Sequence, residues 1–157
     1  MSKQTSYTMY TRDILAGILD GMRTASVIRT GIAEGEIDFG LAVKKGTSDR
    51  QVLVGHTAGK VRGISERQVD REQSLRPGDG SVVYNVGEGV SVIEDGYVWV
   101  LNTAGAAVYG SKAVVSDTTG QIRATAAAAG WTTATNVEFK STAASSEMVL
   151  VRVVSEI

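Results

Sequence analysis

The feature that most limits how this chain can fold is how often it must turn. Eighteen of its 157 residues are glycine, and only one is proline. Glycine supplies the positive φ angles that tight turns and bulges require. Between the glycines, Val, Ile, Tyr and Trp occur in clusters of a few residues, which is the length of a short strand. The sequence therefore predicts an all-β protein.

Apolar residues begin to recur with a period of two near residue 35. Ile37, Phe39, Leu41 and Val43 alternate with smaller or polar residues, which predicts a strand with one apolar face. Further strands are predicted at 51–54, 60–64, 81–86, 106–111, 112–116, 135–141 and 148–154. So many short strands leave no room for the helical crossovers of a parallel sheet. We expect a single compact antiparallel sandwich, jelly roll or small barrel.

The strongest local signal is the dipeptide Asp95-Gly96 between the apolar runs 90–94 and 97–101. This pattern favours a β-hairpin with a two-residue type I′ turn, because both central residues of that turn need φ > 0. In the second predicted strand, Tyr97 and Trp99 point to one face and valines point to the other. A strand that is apolar on both faces has to be covered on both, by its own domain or by another chain.

The first 33 residues differ in kind from the rest. They carry a charge of +2, against −3 for the remainder. Apolar residues recur there at helical spacing, although glycines interrupt the pattern. We predict a short helix or an extended arm over 1–33, followed by a β-domain over 34–157. With the aromatic pair of the predicted hairpin, this stripe supplies the candidate interface residues Ile14, Leu15, Ile18, Met22, Tyr97 and Trp99.

Charge and residue types argue against several functions. Sixteen Lys and Arg against seventeen Asp and Glu give a net charge of −1, which predicts no direct binding of nucleic acid. The apolar runs are far shorter than the ~20 residues that span a bilayer, so no membrane contact is expected. There is no cysteine, and His56 is the only histidine, so we expect neither a metal site nor a cofactor.

His56 also gives little reason to expect an enzyme. The segment from Gly55 to Lys60 is one residue too short between its glycines for a phosphate-binding loop and lacks the hydroxyl residue after the lysine. No Gly-x-Ser-x-Gly turn is present to hold a nucleophilic serine. We therefore predict no catalytic residues.

Several motifs, in order, carry a resemblance to a known family. Residues 34–47 read E-G-x-I-x-F-G-x-A-V-x-x-G-T, and Gly-Ile follows at 63–64. G-x-V-W-V stands at 96–100, A-G-x-x-V at 104–108, and an apolar strand at 148–154 closes the series. Over about 31–154, apart from an Ala/Thr/Ser-rich stretch between 111 and 147, the chain resembles the structural cement, or decoration, proteins of tailed-bacteriophage capsids.

The resemblance implies an interface and no catalytic site. It implies a compact β-fold that self-associates, with a homodimer favoured and a trimer possible, and that contacts the major capsid protein at junctions between capsomers. The protein would be made in the host cytoplasm and bind the outer surface of the virion. The principal alternative is a phage tail or fibre β-module that binds a host receptor or glycan. A small β-barrel enzyme is the third class.

Overall fold

The computed structural model describes residues 15–20, 27–68 and 83–155, and this part of the chain is built from β-strands with no helix. The all-β prediction is therefore confirmed. The nine strands are β1 (Val27–Ala33), β2 (Ala42–Lys45), β3 (Gln51–Val54), β4 (Gly63–Ser65), β5 (Gly89–Leu101), β6 (Lys112–Ser116), β7 (Ile122–Arg123), β8 (Trp131–Phe139) and β9 (Met148–Val153).

These strands form two small barrels that share β5. In the N-terminal barrel, β1, β3, β2, β4 and β5 pair in that order, and β5 pairs again with β1. In the C-terminal barrel the order is β5, β9, β8, β6 and β7. A bridge between Asn102 and Ile122 joins β7 back to the end of β5. Among the described strand pairs, only β1 with β3 is parallel.

Strand β5 departs most from expectation, because the hairpin predicted at Asp95-Gly96 is wrong. Gly89–Leu101 is one continuous strand of 13 residues. Before Gly96 it pairs with β1 and β4, and from Gly96 onward it pairs with β9. Gly96 has a φ of 149°, which residues with a side chain rarely adopt. The glycine thus marks the point where the strand passes from one barrel to the other.

Other strands also differ from the predicted ones. The strand expected from Ile37 begins only at Ala42, because the Phe39 N–H donates to the Asp38 carboxylate at 2.9 Å in a turn before β2. In the described part of the predicted strand at 81–86, residues 83–86, there is only a bridge from Tyr84 to Ile37, and the predicted strand at 106–111 is reduced to a bridge from Ala107 to Ala143. Strand 112–116 is confirmed at its predicted bounds as β6.

Each barrel has an apolar interior. In the N-terminal barrel the rings of Phe39 and Tyr84 meet edge to face, with centroids 5.4 Å apart, a contact worth about 0.5–1.5 kcal/mol beyond the area it buries. The larger cluster surrounds Phe139 in the C-terminal barrel and includes Ile64 and Ile93 from the N-terminal barrel. Because this cluster crosses the junction, the barrels pack as one unit.

Three polar contacts reinforce the junction between the barrels. The buried amide of Asn136 accepts from the Val61 N–H at 3.1 Å and donates to the Val61 carbonyl at 2.7 Å. His56 Nε2 lies 2.6 Å from the Asp117 carboxylate. The Ala42 N–H donates to the Gly120 carbonyl at 2.8 Å. The backbone groups of Val61, Ala42 and Gly120 thereby find hydrogen-bond partners across the junction.

The long motif at 34–47 maintains the fold. The Glu34 carboxylate accepts from the Thr47 N–H at 2.8 Å and from the Thr47 hydroxyl at 2.7 Å. A Cβ on Gly46 would stand 2.7 Å from Gln51 Cβ and 2.3 Å from the same carboxylate, so a side chain there would push the carboxylate away from Thr47. The first and last residues of the motif therefore close the β2–β3 turn onto the end of β1.

This contact predicts a pH dependence. The hydrogen bonds from Thr47 hold the pKa of Glu34 below its usual value. Ionised Glu34 therefore stabilises the fold at neutral pH, and this contribution is lost as the pH falls below about 4 and through the folded-state pKa. Thr47→Val should unfold at lower denaturant than wild type at pH 7, and the difference should shrink in acid. Urea melts at several pH values measure this, with Thr118→Val, at an exposed position, as the control. A difference between wild type and Thr47→Val that stayed constant with pH would refute the prediction.

Candidate interaction surface

Residues 15–20 lie beside the second half of β5 as a turn at 15–18 followed by a single bridge from Leu19 to Val98. The Gly17 N–H donates to the Trp99 carbonyl at 2.7 Å, the Trp99 N–H to the Ile18 carbonyl at 2.9 Å, and the Asp20 N–H to the Tyr97 carbonyl at 3.0 Å. The predicted helix is therefore wrong over these residues, where the Ile18 N–H donates to the Leu15 carbonyl at 3.3 Å in a turn. The extended arm stays a prediction. The candidates Ile14 and Met22 lie outside the described part of the chain.

The same segment is also attached to the N-terminal barrel. The Arg67 backbone N–H donates to the Gly17 carbonyl, and its Nε donates to the Ala16 carbonyl, both at 2.9 Å. The Arg67 guanidinium also lies 4.9 Å from the centre of the Phe39 ring. Strand β1, which begins at Val27, belongs to that barrel as well. The division of the chain at residue 33 stays a prediction, and a truncation that ends before Leu15 would test an arm without removing these contacts.

Leu15 and Ile18, from the first set of candidates, thus lie in a segment that pairs with the backbone of Tyr97 and Trp99, the second set. Tyr97, Trp99 and Leu101 share one face of β5, and their partners directly opposite on β9 lie on the same face. We call this surface the β5–β9 face: Tyr97, Trp99, Leu101, Met148, Leu150 and Arg152. Leu101 is 43% exposed, and nearby Leu15 is 40% exposed. The Arg152 guanidinium lies 5.8 Å from the Tyr97 ring centre, so the face is apolar with a cationic margin.

A second exposed apolar site was not selected from the sequence. Val108 and Tyr109 are 58% and 64% exposed at the turn that precedes β6. Lys140 Nζ lies 5.2 Å from the Tyr109 ring centre. The sequence signal for this site was the end of the motif at 104–108 together with the Tyr109 that follows it. The pattern alone could not show whether these residues lie in a strand or at a turn.

The single histidine has a structural arrangement. His56 Nδ1 accepts from the Gly59 N–H at 3.1 Å, so Nε2 carries the proton that bonds Asp117. Asp117 also accepts from the Thr132 hydroxyl at 3.0 Å. Hydrogen bonds from His56 and then Thr132 hold the pKa of Asp117 below its usual value. Both ring nitrogens are thus occupied, and neither is placed to activate a nucleophile. The sequence could not show that Asp117, from the other barrel, is the partner of His56.

Comparison with known proteins decides the family. Residues 3–154 match the family described as "Structural cement protein (E217 gp24/Pam3 gp6)". The chain belongs to this family. The cement protein therefore has a structural role in a phage capsid, its partners are capsid proteins, and its location is the virion. The resemblance seen in the sequence motifs is confirmed.

Solved structures support the fold of the cement protein. A chain of "The capsid of Myoviridae Phage XM1" matches with a TM-score of 0.69 and 16% identity over 97% of both chains. The head fiber gp8.5 N base of bacteriophage phi29 matches with a TM-score of 0.51 and 9% identity, over 85% of this chain and 98% of that one. At such identities the likeness shows the fold alone. No curated protein matches the sequence.

Within 15–20, 27–68 and 83–155, no group of three or more His, Asp or Glu side chains could hold a metal ion. The same residues contain no helix that is long and apolar enough to cross a membrane.

Proposed function

We propose that this cement protein binds the outer surface of the mature head and stabilises it by bridging major capsid protein subunits. The observation that carries the proposal is the β5–β9 face, an apolar surface on a protein of the structural cement family. Trp99 and Tyr97 are half-buried there and present ring surface beside the exposed Leu101. Aromatic anchors of this kind dominate the energetics of protein interfaces.

The mechanism is mass action. A ligand that binds only the assembled shell stabilises it by about 2.7 kcal/mol per site when its free concentration is 100-fold above Kd. Because a head offers many equivalent sites, modest contacts add up over the lattice. Bridging further requires that one subunit, or one homodimer, contact two shell proteins. We favour the homodimer over a trimer, and light scattering after gel filtration tests that choice.

Binding to intact heads tests the proposal directly. DNA-filled heads that lack the protein would be mixed with purified protein and sedimented. We expect saturable binding with a fixed ratio to the major capsid protein, since only the outer surface of a filled head is accessible. Binding to isolated tails or to host-cell glycans, with none to heads, would instead support the tail or fibre alternative.

His56→Ala should separate a structural role from a chemical one. We expect a loss of about 1–3 kcal/mol in the free energy of unfolding, because the half-buried ring and its two hydrogen bonds are lost. Head binding at a temperature where the variant stays folded should be unchanged within about twofold, the usual effect of a residue outside an interface. A folded variant that no longer binds heads would show that His56 takes part in function.

A further inference from the structure

An open groove of about 420 Å³ on the N-terminal barrel gathers much of the positive charge of the chain. Strands β1 and β2 and the loop before β4 line it, and Ser155 closes the end nearest β9. Five cations face it, on a protein whose net charge is −1. They are Arg29, Lys44, Lys45, Lys60 and Arg62.

A buried carboxylate at the base of the groove organises the two arginines. Glu94, on β5, is only 7% exposed. Its Oε1 lies 3.0 Å from Arg62 Nε, and its Oε2 lies 3.2 Å from Arg29 Nε. A guanidinium has five N–H donors in a rigid fork, so a contact through Nε leaves the terminal groups able to meet another carboxylate. The Arg29 side chain is 67% exposed and the Arg62 side chain 23% exposed, which keeps both accessible from the groove.

Nearby acidic side chains do not cancel all of the positive charge of the groove. Lys45 Nζ bonds Asp49 at 2.5 Å, and Lys44 interacts electrostatically with Asp117. Arg29 and Arg62 share the single carboxylate of Glu94, so this pair keeps one positive charge in excess. A concave site of one sign raises the local concentration of oppositely charged partners.

The lining favours a carboxylate-bearing protein over nucleic acid. None of the described residues that line the groove is aromatic, whereas single-stranded nucleic acid is usually held by stacking on aromatic rings. The groove is short and isolated, and a duplex binder needs a broad basic surface. Arginine forks that are already oriented match the geometry of Asp and Glu side chains.

We propose that this groove, which we call the basic groove, docks an acidic surface segment of the capsid shell protein. The proposal rests on the proposed function and adds to it a second contact surface, separate from the β5–β9 face. Two separate contact surfaces on one subunit are what bridging between shell proteins requires. The charge of the groove would steer the subunit to the shell and fix its orientation.

Two double variants with the same loss of charge test the proposal. Lys44→Gln with Lys60→Gln removes two of the five cations of the groove and leaves Glu94 and its arginines in place. Arg50→Gln with Lys112→Gln removes two exposed cations that do not line it. On DNA-free shells at low salt, we expect the groove variant to bind about tenfold more weakly and with a flatter salt dependence, because charge attraction is screened by salt. The control should bind like wild type. Lys60→Gln alone, at an exposed position, serves if the double variant unfolds.

Polyglutamate and duplex DNA identify the chemistry of the occupant. Polyglutamate should compete with shells for the wild-type protein, and duplex DNA at equal charge should not. Equal binding by the groove variant and wild type would overturn the proposal, as would better competition by DNA. If wild type failed to bind shells at all, the proposed function would fail by itself. In that case polyglutamate binding alone would test the basic groove. Binding by wild type and not by the groove variant would support it, and any other result would overturn it.

Discussion

Gly120→Ala should cost about 2–5 kcal/mol of the free energy of unfolding, the sum expected for a left-handed backbone and an overpacked contact. Gly120 has a φ of 69°, and a Cβ built on it would stand 2.3 Å from the Ala42 carbonyl oxygen. That oxygen already accepts from the Gly55 N–H, and the Gly120 carbonyl accepts from Ala42. The atoms in contact are backbone atoms of both barrels and cannot move aside as a side chain could. The added methyl group would therefore push the two barrels apart.

Gly110→Ala is the matched control for this substitution. Gly110 has a similar φ of 85°, but no atom lies within 4 Å of the position its Cβ would take. The Gly110→Ala variant should lose only about 1–2 kcal/mol of its free energy of unfolding, which is the cost of the left-handed backbone. Urea melts of both variants followed by circular dichroism measure the difference. Equal losses would mean that the β6–β7 turn does not bind the N-terminal barrel as described.

Trp99→Ala should weaken binding to heads by about 30-fold or more, as expected when an interface loses a central aromatic anchor worth about 2 kcal/mol. Trp99 lies in the middle of the β5–β9 face, opposite Leu150 and between Tyr97 and Leu101. Its backbone pairs with residues 17–18, and those hydrogen bonds do not depend on the side chain. The variant should therefore keep its fold while its surface loses the indole.

The other tryptophan provides the comparison. Trp131 is also half-buried, lies at the start of β8 opposite Ser116, and stacks under the Arg123 guanidinium at 4.1 Å. Trp131→Ala removes the same side chain from a different surface, so head binding should stay within about twofold of wild type. Sedimentation of both variants with heads gives the ratio. Similar losses in the two variants would move the interface away from the β5–β9 face.

The sequence was sufficient for the class of fold because local signals decide it. Many short strands were predicted from the frequent glycines, the apolar clusters of strand length and the period of two. The predicted bounds of β6 agree with the observed ones. The Asp95-Gly96 dipeptide shows where such reasoning ends. A turn and a crossing between two barrels both call for glycine in an unusual conformation, and only the pairing of β5 with β1, β4 and β9 distinguishes them.

The candidate surface could be predicted in part for the same reason. The choice of Tyr97 and Trp99 as interface candidates followed from a strand that is apolar on both faces, and Leu15 and Ile18 were chosen from a second pattern. The pairing between the two required tertiary structure. The basic groove was not predictable, because its cations come from three separate stretches of chain that the N-terminal barrel brings together. The motif at 34–47, by contrast, identifies the family through contacts that hold the β2–β3 turn.

The temperature at which filled heads release their DNA tests the central claim most directly. Heads made without the protein should assemble with normal geometry but release DNA at a lower temperature than complete heads. Purified wild-type protein added from outside should restore the higher temperature, and Trp99→Ala at the same concentration should not. If heads with and without the protein release DNA at the same temperature, the protein does not stabilise the shell and the proposed function is wrong.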